Sequence, residues 1–465
     1  MLITGCFLVA CASENGAEDN SDNVILSMWN RYPELNNSFA ELIKDFEEEN
    51  SGIKIELQNI PVSSQTASYQ SAVSEDTLPD IWTTAVVSLD ELVDLDKAKN
   101  LNELFPQEVK DDYYPGTWFE NGTTLNGDVY VLPLFSPNHG VNMLYYNKDV
   151  LEQYGIAEDD IPKTWDEMIE VGKHIYNESG GSIYGFAWHN EAWAYNNFIY
   201  MQSTVTSPDT PWDMNYIEGK PDFANQGNIE VIEFLKTMYD ENVMVPSSLE
   251  NDAANAEANL AAGKAAFYIG GNWTGGNLIM EGFENWGVAP EPTKDNQSIY
   301  ATAARDANGL MVNNDTEYWE EVKTFLEYVS EHAYSDVVIQ SGGSQPAKMD
   351  VESDYPFSQL EDIYTIMTDT AVPVPQPPGR SLEVIDFTVE YGSRRSFDGI
   401  GDVAVGYLSG GVEDLEGELN KVNDEANEVF DTLLEETPEV TREMFQFPNW
   451  EPFKPYTEED YEELE

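Results

Sequence analysis

Hydrophobic and polar positions in the first part of the chain follow a strand, a helix and a second strand. Residues 24–29 form an apolar run typical of a buried strand. Large apolar residues then recur at helical spacing over residues 39–46, with Ser38 as the predicted N-cap. Apolar and polar residues alternate over residues 53–57. This order predicts a β-α-β unit with parallel strands and a right-handed crossover.

A second series of α/β elements is predicted further along the chain. Thr164 and Glu167 have the spacing of a capping box, so a helix is expected to begin there. Strands are predicted at residues 184–188 and 265–269, with a helix over residues 231–238 between them. These elements indicate a second α/β lobe.

The last third of the chain combines a return to the first lobe with additional helices. Residues 309–312 are predicted as a strand and residues 322–329 as a helix that packs on the first lobe. The proline-rich residues 371–380 cannot form a helix and are expected to be extended, either linking domains or lining a cleft. Apolar positions over residues 415–433 predict the closing helices.

A length of 465 residues favours two domains over one. We expect residues 1–23 to be the remnant of a signal segment and a flexible tether. The first lobe is assigned to residues 24–150 and the second to residues 151–305. Residues 306–465 are expected to return to the first lobe and to supply hinge segments and C-terminal helices that partly join the second. The predicted fold class is α/β, with two lobes joined by a hinge.

The composition is strongly acidic. The chain has 22 Lys and Arg residues against 87 Asp and Glu residues, a formal net charge of -65. This charge repels nucleic acid and anionic lipid, so neither is an expected partner. Such a surface suits a saline or alkaline exterior, where salt screens its self-repulsion.

The two cysteines of the chain both lie in its apolar start. Cys6 and Cys11 each end a short stretch that resembles the bacterial lipobox, whose cysteine is lipidated. Cys11 is the preferred site because a polar, flexible run follows it, whereas Cys6 would leave apolar residues in the tether. The short apolar stretch and the lack of a preceding basic residue indicate that translation starts further upstream. No other stretch has the length of a membrane span.

Several motifs together resemble family 1 extracellular solute-binding proteins of ABC importers. They are Tyr145-Tyr146-Asn147-Lys148-Asp149, Pro162-Lys163-Thr164-Trp165-Asp166-Glu167, Leu78-Pro79-Asp80-Ile81 and Gly263-Lys264-Ala265-Ala266-Phe267 through Gly271-Asn272-Trp273. The resemblance implies a periplasmic-binding-protein type II fold with a cleft between the lobes. It also implies a monomeric receptor, on the outer face of the cell membrane or in the periplasm, that captures a carbohydrate, mono- or oligosaccharide, and delivers it to an ABC permease. No cofactor or metal is implied.

Candidate binding residues follow from the chemistry of sugars, which need aromatic platforms and planar polar groups. In the second lobe the resemblance points to Trp273 with Asn272, and to Trp193. In the first lobe Trp29, Asn30 and Thr84 lie where strands end. Further candidates are Asn138 and His139, in a stretch that looks longer than in maltose-binding relatives, and two of the few arginines, Arg305 and Arg380.

Two other functions remain open from the residues alone. Asn190-Glu191 superficially matches the Asn-Glu pair of some glycoside hydrolases, which need a second carboxylate roughly 5 Å away. The eight β-α repeats of that enzyme fold are not apparent, and no His-Glu-x-x-His, Gly-x-Ser-x-Gly or phosphate-loop motif occurs. A binding protein is therefore favoured over a secreted glycosidase. A polysaccharide-binding protein without a transport role stays an alternative, and so does a peptide or polyol ligand.

Overall fold

The fold is taken from a computed structural model of the chain. It describes residues 23–61, 64–84, 87–137, 140–297, 300–302, 307–397 and 399–464. Within these ranges no helix combines the length and the apolar character needed to cross a bilayer.

The strands found within the described ranges are short, and none exceeds seven residues. In chain order they are β1 Val24–Asn30, β2 Ile53–Asn59, β3 Ile81–Thr83, β4 Thr124–Leu125, β5 Asp128–Val129, β6 Leu132–Pro133, β7 Asn142–Asn147, β8 Tyr184–Ala187, β9 Met214–Asn215, β10 Lys220–Pro221, β11 Ala265–Gly271, β12 Trp286–Pro290, β13 Tyr300–Thr302, β14 Gly309–Val312 and β15 Ala371–Pro373.

The α-helices seen in the same ranges include one of 22 residues near the end of the chain. In chain order they are α1 Asn36–Glu49, α2 Gln65–Glu75, α3 Leu89–Asp94, α4 Gln107–Lys110, α5 Lys148–Gln153, α6 Trp165–Glu178, α7 Ala192–Thr206, α8 Gln226–Asp240, α9 Ala253–Ala261, α10 Thr274–Met280, α11 Trp319–Ala333, α12 Leu360–Thr370, α13 Leu382–Arg394, α14 Ile400–Leu408, α15 Leu415–Glu436 and α16 Glu458–Glu462.

The first lobe is built on a five-stranded sheet in the order β2-β1-β3-β14-β6. The strands β1, β2 and β3 are parallel, and β14 runs antiparallel to its two neighbours. Successive residues of β1 face opposite cores: Met28 packs with α1 and α11, whereas Trp29 packs on the other side with Trp82. Because helices cover both faces, the strands are apolar on both sides.

The second lobe contains a four-stranded sheet in the order β12-β7-β11-β8. The strand β11 is parallel to β8 and antiparallel to β7, which in turn pairs antiparallel with β12. All residues of β7 and β11 are buried, because two separate cores lie on the two faces of the sheet. The helices α14 and α15 pack on one of these cores, so the C-terminal part of the chain belongs to the second lobe.

The order of the described strands and helices places three passages of the chain between the two sheets. It leaves the first lobe after β6 and enters the second at β7, returns between β13 and β14, and leaves again over residues 341–350 toward α12. The first passage therefore lies before residue 142, ahead of the boundary after residue 150 that the sequence suggested. The signature around Tyr145 was assigned to the first lobe, but its strand pairs with β11 and β12.

Helix starts agree with the sequence in one case and differ in another. The capping box is confirmed: Thr164 accepts from the Glu167 amide, and Glu167 accepts from the Thr164 amide. The prediction of Ser38 as an N-cap is wrong, since α1 begins at Asn36 directly after a short 3-10 turn. Pro33 favours that turn because its fixed φ suits the first position of a helix.

Candidate functional site

A cavity of about 340 Å³ lies at one edge of the second-lobe sheet, where β8 and β11 end and β7 begins. We call it the second-lobe cavity. The side chains around it combine aromatic rings, amides and carboxylates; its lining is Asn142, Trp188, His189, Glu191, Ala194, Asn197, Asp252, Ala253, Ala254, Glu257, Tyr268, Ile269, Gly270, Gly271, Trp273 and Asn277. Carboxyl ends of parallel strands in open α/β sheets are common ligand sites.

The indole of Trp273 is held over a glycine. It is half-buried, and its six-membered ring lies so near the Cα of Gly271 that a Cβ at that position would overlap it. On the other side, a Cβ at Gly343 would lie 2.6 Å from the Cα of Trp273. The Tyr145 hydroxyl donates to the Gly271 carbonyl at 2.9 Å, which fixes the end of β11. A flat aromatic face with a defined position is therefore available at the cavity.

Glu191 joins two elements at the cavity. Its Oε2 accepts from the Ala253 amide at 3.0 Å and lies 3.0 Å from Nδ1 of His189. Burial lowers the pKa of His189, against the nearby Glu191 carboxylate, which raises it. The imidazole is therefore neutral at neutral pH and does not offset the charge of the Glu191 carboxylate.

Glu257 is the buried carboxyl group of the cavity. It projects from α9 and is only 4% exposed. Its carboxylate accepts from Thr274 Oγ1 and from Asn277 Nδ2, each at 3.3 Å. Burial raises the pKa of Glu257 to about 7, against these two hydrogen bonds, which lower it. A buried carboxylate with long hydrogen bonds is stabilised by a proton or by a cationic group.

The corresponding edge of the first lobe carries a separate network of Arg31, Tyr32, Thr84 and Asn308, which we call the first-lobe network. Arg31 donates to the Thr84 carbonyl and to Asn308 Oδ1, and its guanidinium lies 4.3 Å from the centre of the Tyr32 ring. The Tyr32 hydroxyl lies 3.1 Å from Thr84 Oγ1 and donates to Asn308 Oδ1 at 3.0 Å. The ends of β1 and β3 and the start of β14 are joined in this way.

The three first-lobe candidates from the sequence lie in or beside this network. Trp29 is half-buried and makes an edge contact with Tyr69 at 5.4 Å between ring centres. Asn30 is 1% exposed, and its side chain bonds to Tyr32, Asn36 and Asn59. Thr84 exchanges hydrogen bonds with Gly309. Asn30 therefore shapes the strand end from within the lobe.

Two further candidates are placed apart from each other. Asn272 is fully buried behind Trp273, where its Nδ2 donates to the Gly343 carbonyl and its Oδ1 accepts from the Gly140 amide at 2.9 Å. It thus connects two of the segments that pass between the lobes. Arg380 lies in the C-terminal region, where it donates to the Gln446 and Leu464 carbonyls. The structure does not bring Arg380 to the second-lobe cavity.

Some predictions cannot be placed. Asn138, His139, Arg305, Cys6 and Cys11 lie outside the described residues. For Trp193 the description covers the backbone alone, at the second position of α7, next to Glu191 and Ala194 of the cavity lining.

Sequence reasoning missed Glu257, Trp188 and Arg31. Glu257 is one of 87 acidic residues, and its burial depends on packing between α9 and α10. Trp188 directly follows β8, a strand end that could have singled it out. In the described ranges no group of three His, Cys, Asp or Glu side chains is arranged to hold a metal ion.

Comparisons of sequence identify relatives of this chain. Residues 32–335 match the family model described as bacterial extracellular solute-binding protein, which is more than half of the chain. The multiple sugar-binding protein of Streptococcus mutans is 24% identical over 177 residues, 37% of this chain and 39% of that protein. The arabinooligosaccharide-binding protein of Bacillus subtilis is 24% identical over 255 residues, 53% of this chain and 54% of that protein. The aligned segments span less than two thirds of either relative.

Solved structures with the same fold match most of the chain. The sugar-binding protein MalE of Xanthomonas citri is 20% identical with a TM-score of 0.60, covering 90% of this chain and 100% of that one. A solute-binding protein in complex with raffinose is 18% identical with a TM-score of 0.66, covering 88% and 100%. The predicted type II binding-protein fold is confirmed by these structures. The chain belongs to the bacterial extracellular solute-binding protein family.

Proposed function

We propose that this solute-binding protein captures a carbohydrate between its two lobes and delivers it to the permease of an ABC importer. The observation that carries the proposal is the position of Trp273, whose indole packs over Gly271 and lines the second-lobe cavity. Amides of Asn142, Asn197 and Asn277 line the same cavity and suit sugar hydroxyls.

The relatives support a carbohydrate ligand. The two sequence relatives named above are sugar-binding by description, and one structural relative holds raffinose. Ligand capture then follows the hinge scheme of two-lobed proteins, in which the bound form is selected by contacts with both lobes.

The test is substitution of Trp273 combined with ligand screening. Thermal shift against mono- and oligosaccharides identifies a ligand, and calorimetry gives its Kd. We expect Trp273→Ala to weaken binding by about 1–3 kcal/mol, because an aromatic platform is lost. The matched control is Trp319→Ala, a half-buried tryptophan of the first lobe that packs with Lys99. Equal affinity in wild type and Trp273→Ala, for a ligand that binds the wild type, contradicts the role of Trp273.

We also propose that Cys11 is lipidated and holds the receptor at the outer face of the membrane. Metabolic labelling with a fatty acid tests this in cells. Cys11→Ala is expected to lose the label and to release the protein into the medium. Cys6→Ala is expected to keep the label and to stay attached to the membrane. The reverse pattern assigns the lipid to Cys6 instead.

Transport is tested separately from binding. Deleting the gene should abolish uptake of the sugar that the purified protein binds, and growth on an unrelated sugar serves as the control. Unchanged uptake in the deletion strain favours a polysaccharide-binding role without transport.

A further inference from the structure

The second-lobe cavity has a marked charge asymmetry. Its described lining includes three carboxylates, Glu191, Asp252 and Glu257, and contains no lysine or arginine. The one imidazole, His189, is neutral because burial lowers its pKa. A solute that enters this cavity therefore meets a negative potential without a compensating cation from the lining.

The high content of acidic residues in the chain does not explain why the Glu257 carboxyl group is buried. Most carboxylates of this protein are exposed, where water solvates their charge. Glu257 is 4% exposed, and the hydrogen bonds from Thr274 and Asn277 are long. A buried negative charge costs free energy unless a proton neutralises it or a cation pairs with it, and a ligand cation could provide that pair.

The other two carboxylates differ in how they are held. Asp252 is the N-cap of α9 and accepts from the Asn255 amide at 2.8 Å. Glu191 has a 40% exposed side chain and accepts from the Ala253 amide. Glu191 also raises the pKa of Glu257, so the two carboxylates interact electrostatically. A cation between them would lower the energy of both.

We infer that the ligand carries a cationic nitrogen on a hydroxylated ring, placed against Glu257 and Glu191, so that amino sugars and their oligomers are the substrate class. This inference rests on the proposed function and adds the charge of the ligand to it. The indole of Trp273 would cover the apolar face of the ring, and the ammonium would also gain from the aromatic surface. Uronic acids and sugar phosphates would be repelled by the same carboxylates.

Matched ligand pairs provide the test. Calorimetry on the full chain would compare glucose with glucosamine, galactose with galactosamine, and cellobiose with the fully deacetylated chitosan disaccharide. Glucuronate serves as the anionic member and ethanolamine as a cation without a ring. We expect the amino member of a pair to bind at least about tenfold tighter than its neutral counterpart, as one close charge pair in a partly buried site predicts. Glucuronate and ethanolamine are expected not to bind measurably.

Variants separate the cavity from the charge of the whole surface. Glu257→Gln should reduce the preference about tenfold, measured as the ratio of the affinity for the amino sugar to the affinity for its neutral counterpart in the same variant. The matched control Glu233→Gln removes one exposed carboxylate of the same lobe and should keep the preference. Glu191→Gln, at a half-exposed position, provides a second variant if Glu257→Gln fails to fold, and it should reduce the preference too.

The outcomes distinguish the inference from the proposed function. Neutral sugars that bind as tightly as their amino counterparts overturn the inference and leave carbohydrate capture intact. A preference that survives Glu257→Gln and Glu191→Gln also overturns it, because it then arises from the net charge. If no sugar of any charge binds, both the inference and the carbohydrate function fail.

Discussion

At the residue scale, Gly271 determines where the proposed sugar platform can lie. The Trp273 ring occupies the space that a side chain at position 271 would need. Gly271→Ala should therefore displace the indole and weaken ligand binding nearly as much as Trp273→Ala does. Calorimetry with the identified ligand measures this effect. The tryptophan emission spectrum should also shift, because the surroundings of the Trp273 indole change.

The control for this substitution is Gly392→Ala. Gly392 lies in α13, and a Cβ there meets no atom within 4 Å. Binding should be unaffected, and stability should rise slightly because alanine favours helices. Unchanged affinity in Gly271→Ala would show that the indole position does not matter for the ligand.

Glu291 gives the second lobe a pH-dependent stability. It is 3% exposed, neither oxygen of its carboxyl group has a hydrogen-bond partner among the described residues, and burial raises its pKa from 4.5 to about 8. The folded protein therefore keeps this proton up to about pH 8, whereas the unfolded chain loses it near 4.5. Between these values the native state binds more protons, so the free energy of unfolding falls as pH rises.

Glu291→Gln should remove this part of the pH dependence. At pH 9 we expect the variant to exceed the wild type in unfolding free energy by about 4–5 kcal/mol, with the difference closing below pH 5. Urea denaturation at several pH values measures it. Glu233→Gln, an exposed position in the same lobe, should track the wild type. A constant difference across pH would contradict the role of Glu291.

A local sequence pattern can predict where a side chain lies, although the ligand-binding role of that side chain stays a prediction. Trp273 follows a buried strand among glycines, and the structure places its indole at the cavity over Gly271. Glu257 has no such local signal, because its burial results from α9 packing against α10. Arg31 and Asn30 are adjacent in the sequence, and the sequence does not show which of the two side chains points into the lobe. In the structure the buried side chain is that of Asn30.

At the element scale, periodicity predicted the main strands and helices well. The apolar positions of α11 and α8 are buried as expected, and β14 returns to the first-lobe sheet. A π-helix at Tyr334–Ile339 was not predicted, since its run of apolar residues fits an ordinary helix equally well. The first passage between lobes was placed too late because a strand does not reveal which sheet it joins.

Asn272 connects segments that pass between the lobes. It bonds to Gly140, before β7, and to Gly343, before α12. Asn272→Ala should loosen both segments, since the partly buried Gly140 amide and the buried Gly343 carbonyl lose their hydrogen-bond partner. Hydrogen exchange should then accelerate over residues 134–137, 140–142 and 341–350, while the two sheets keep their protection.

The control for this prediction is Asn313→Ala. Asn313 makes comparable bonds, to the Leu78 carbonyl and from the Asp315 amide, within the first lobe. Its loss should speed exchange near residues 78 and 315 alone. Unaltered exchange of residues 134–137, 140–142 and 341–350 in Asn272→Ala would show that these segments are held by other contacts.

At the scale of the whole molecule, the net charge of -65 is the dominant feature. The ion pairs within the described ranges involve mostly exposed side chains, such as Lys44 with Glu48 and Lys454 with Glu451. Exposed pairs contribute little to stability, and 22 cations cannot neutralise 87 carboxylates. Self-repulsion of the folded surface therefore remains and disfavours the compact state.

Salt should stabilise this protein by screening that repulsion. The Debye length falls from about 10 Å at 0.1 M to about 3 Å at 1 M, so carboxylates on neighbouring helices cease to interact. We expect the midpoint of thermal unfolding to rise steeply with NaCl, and equally with KCl at the same ionic strength. Sucrose at matched osmolarity should produce a smaller change. A midpoint of thermal unfolding that does not respond to salt would mean that repulsion between surface carboxylates does not destabilise the folded state. The inference of a saline or alkaline exterior would then lose its physical basis.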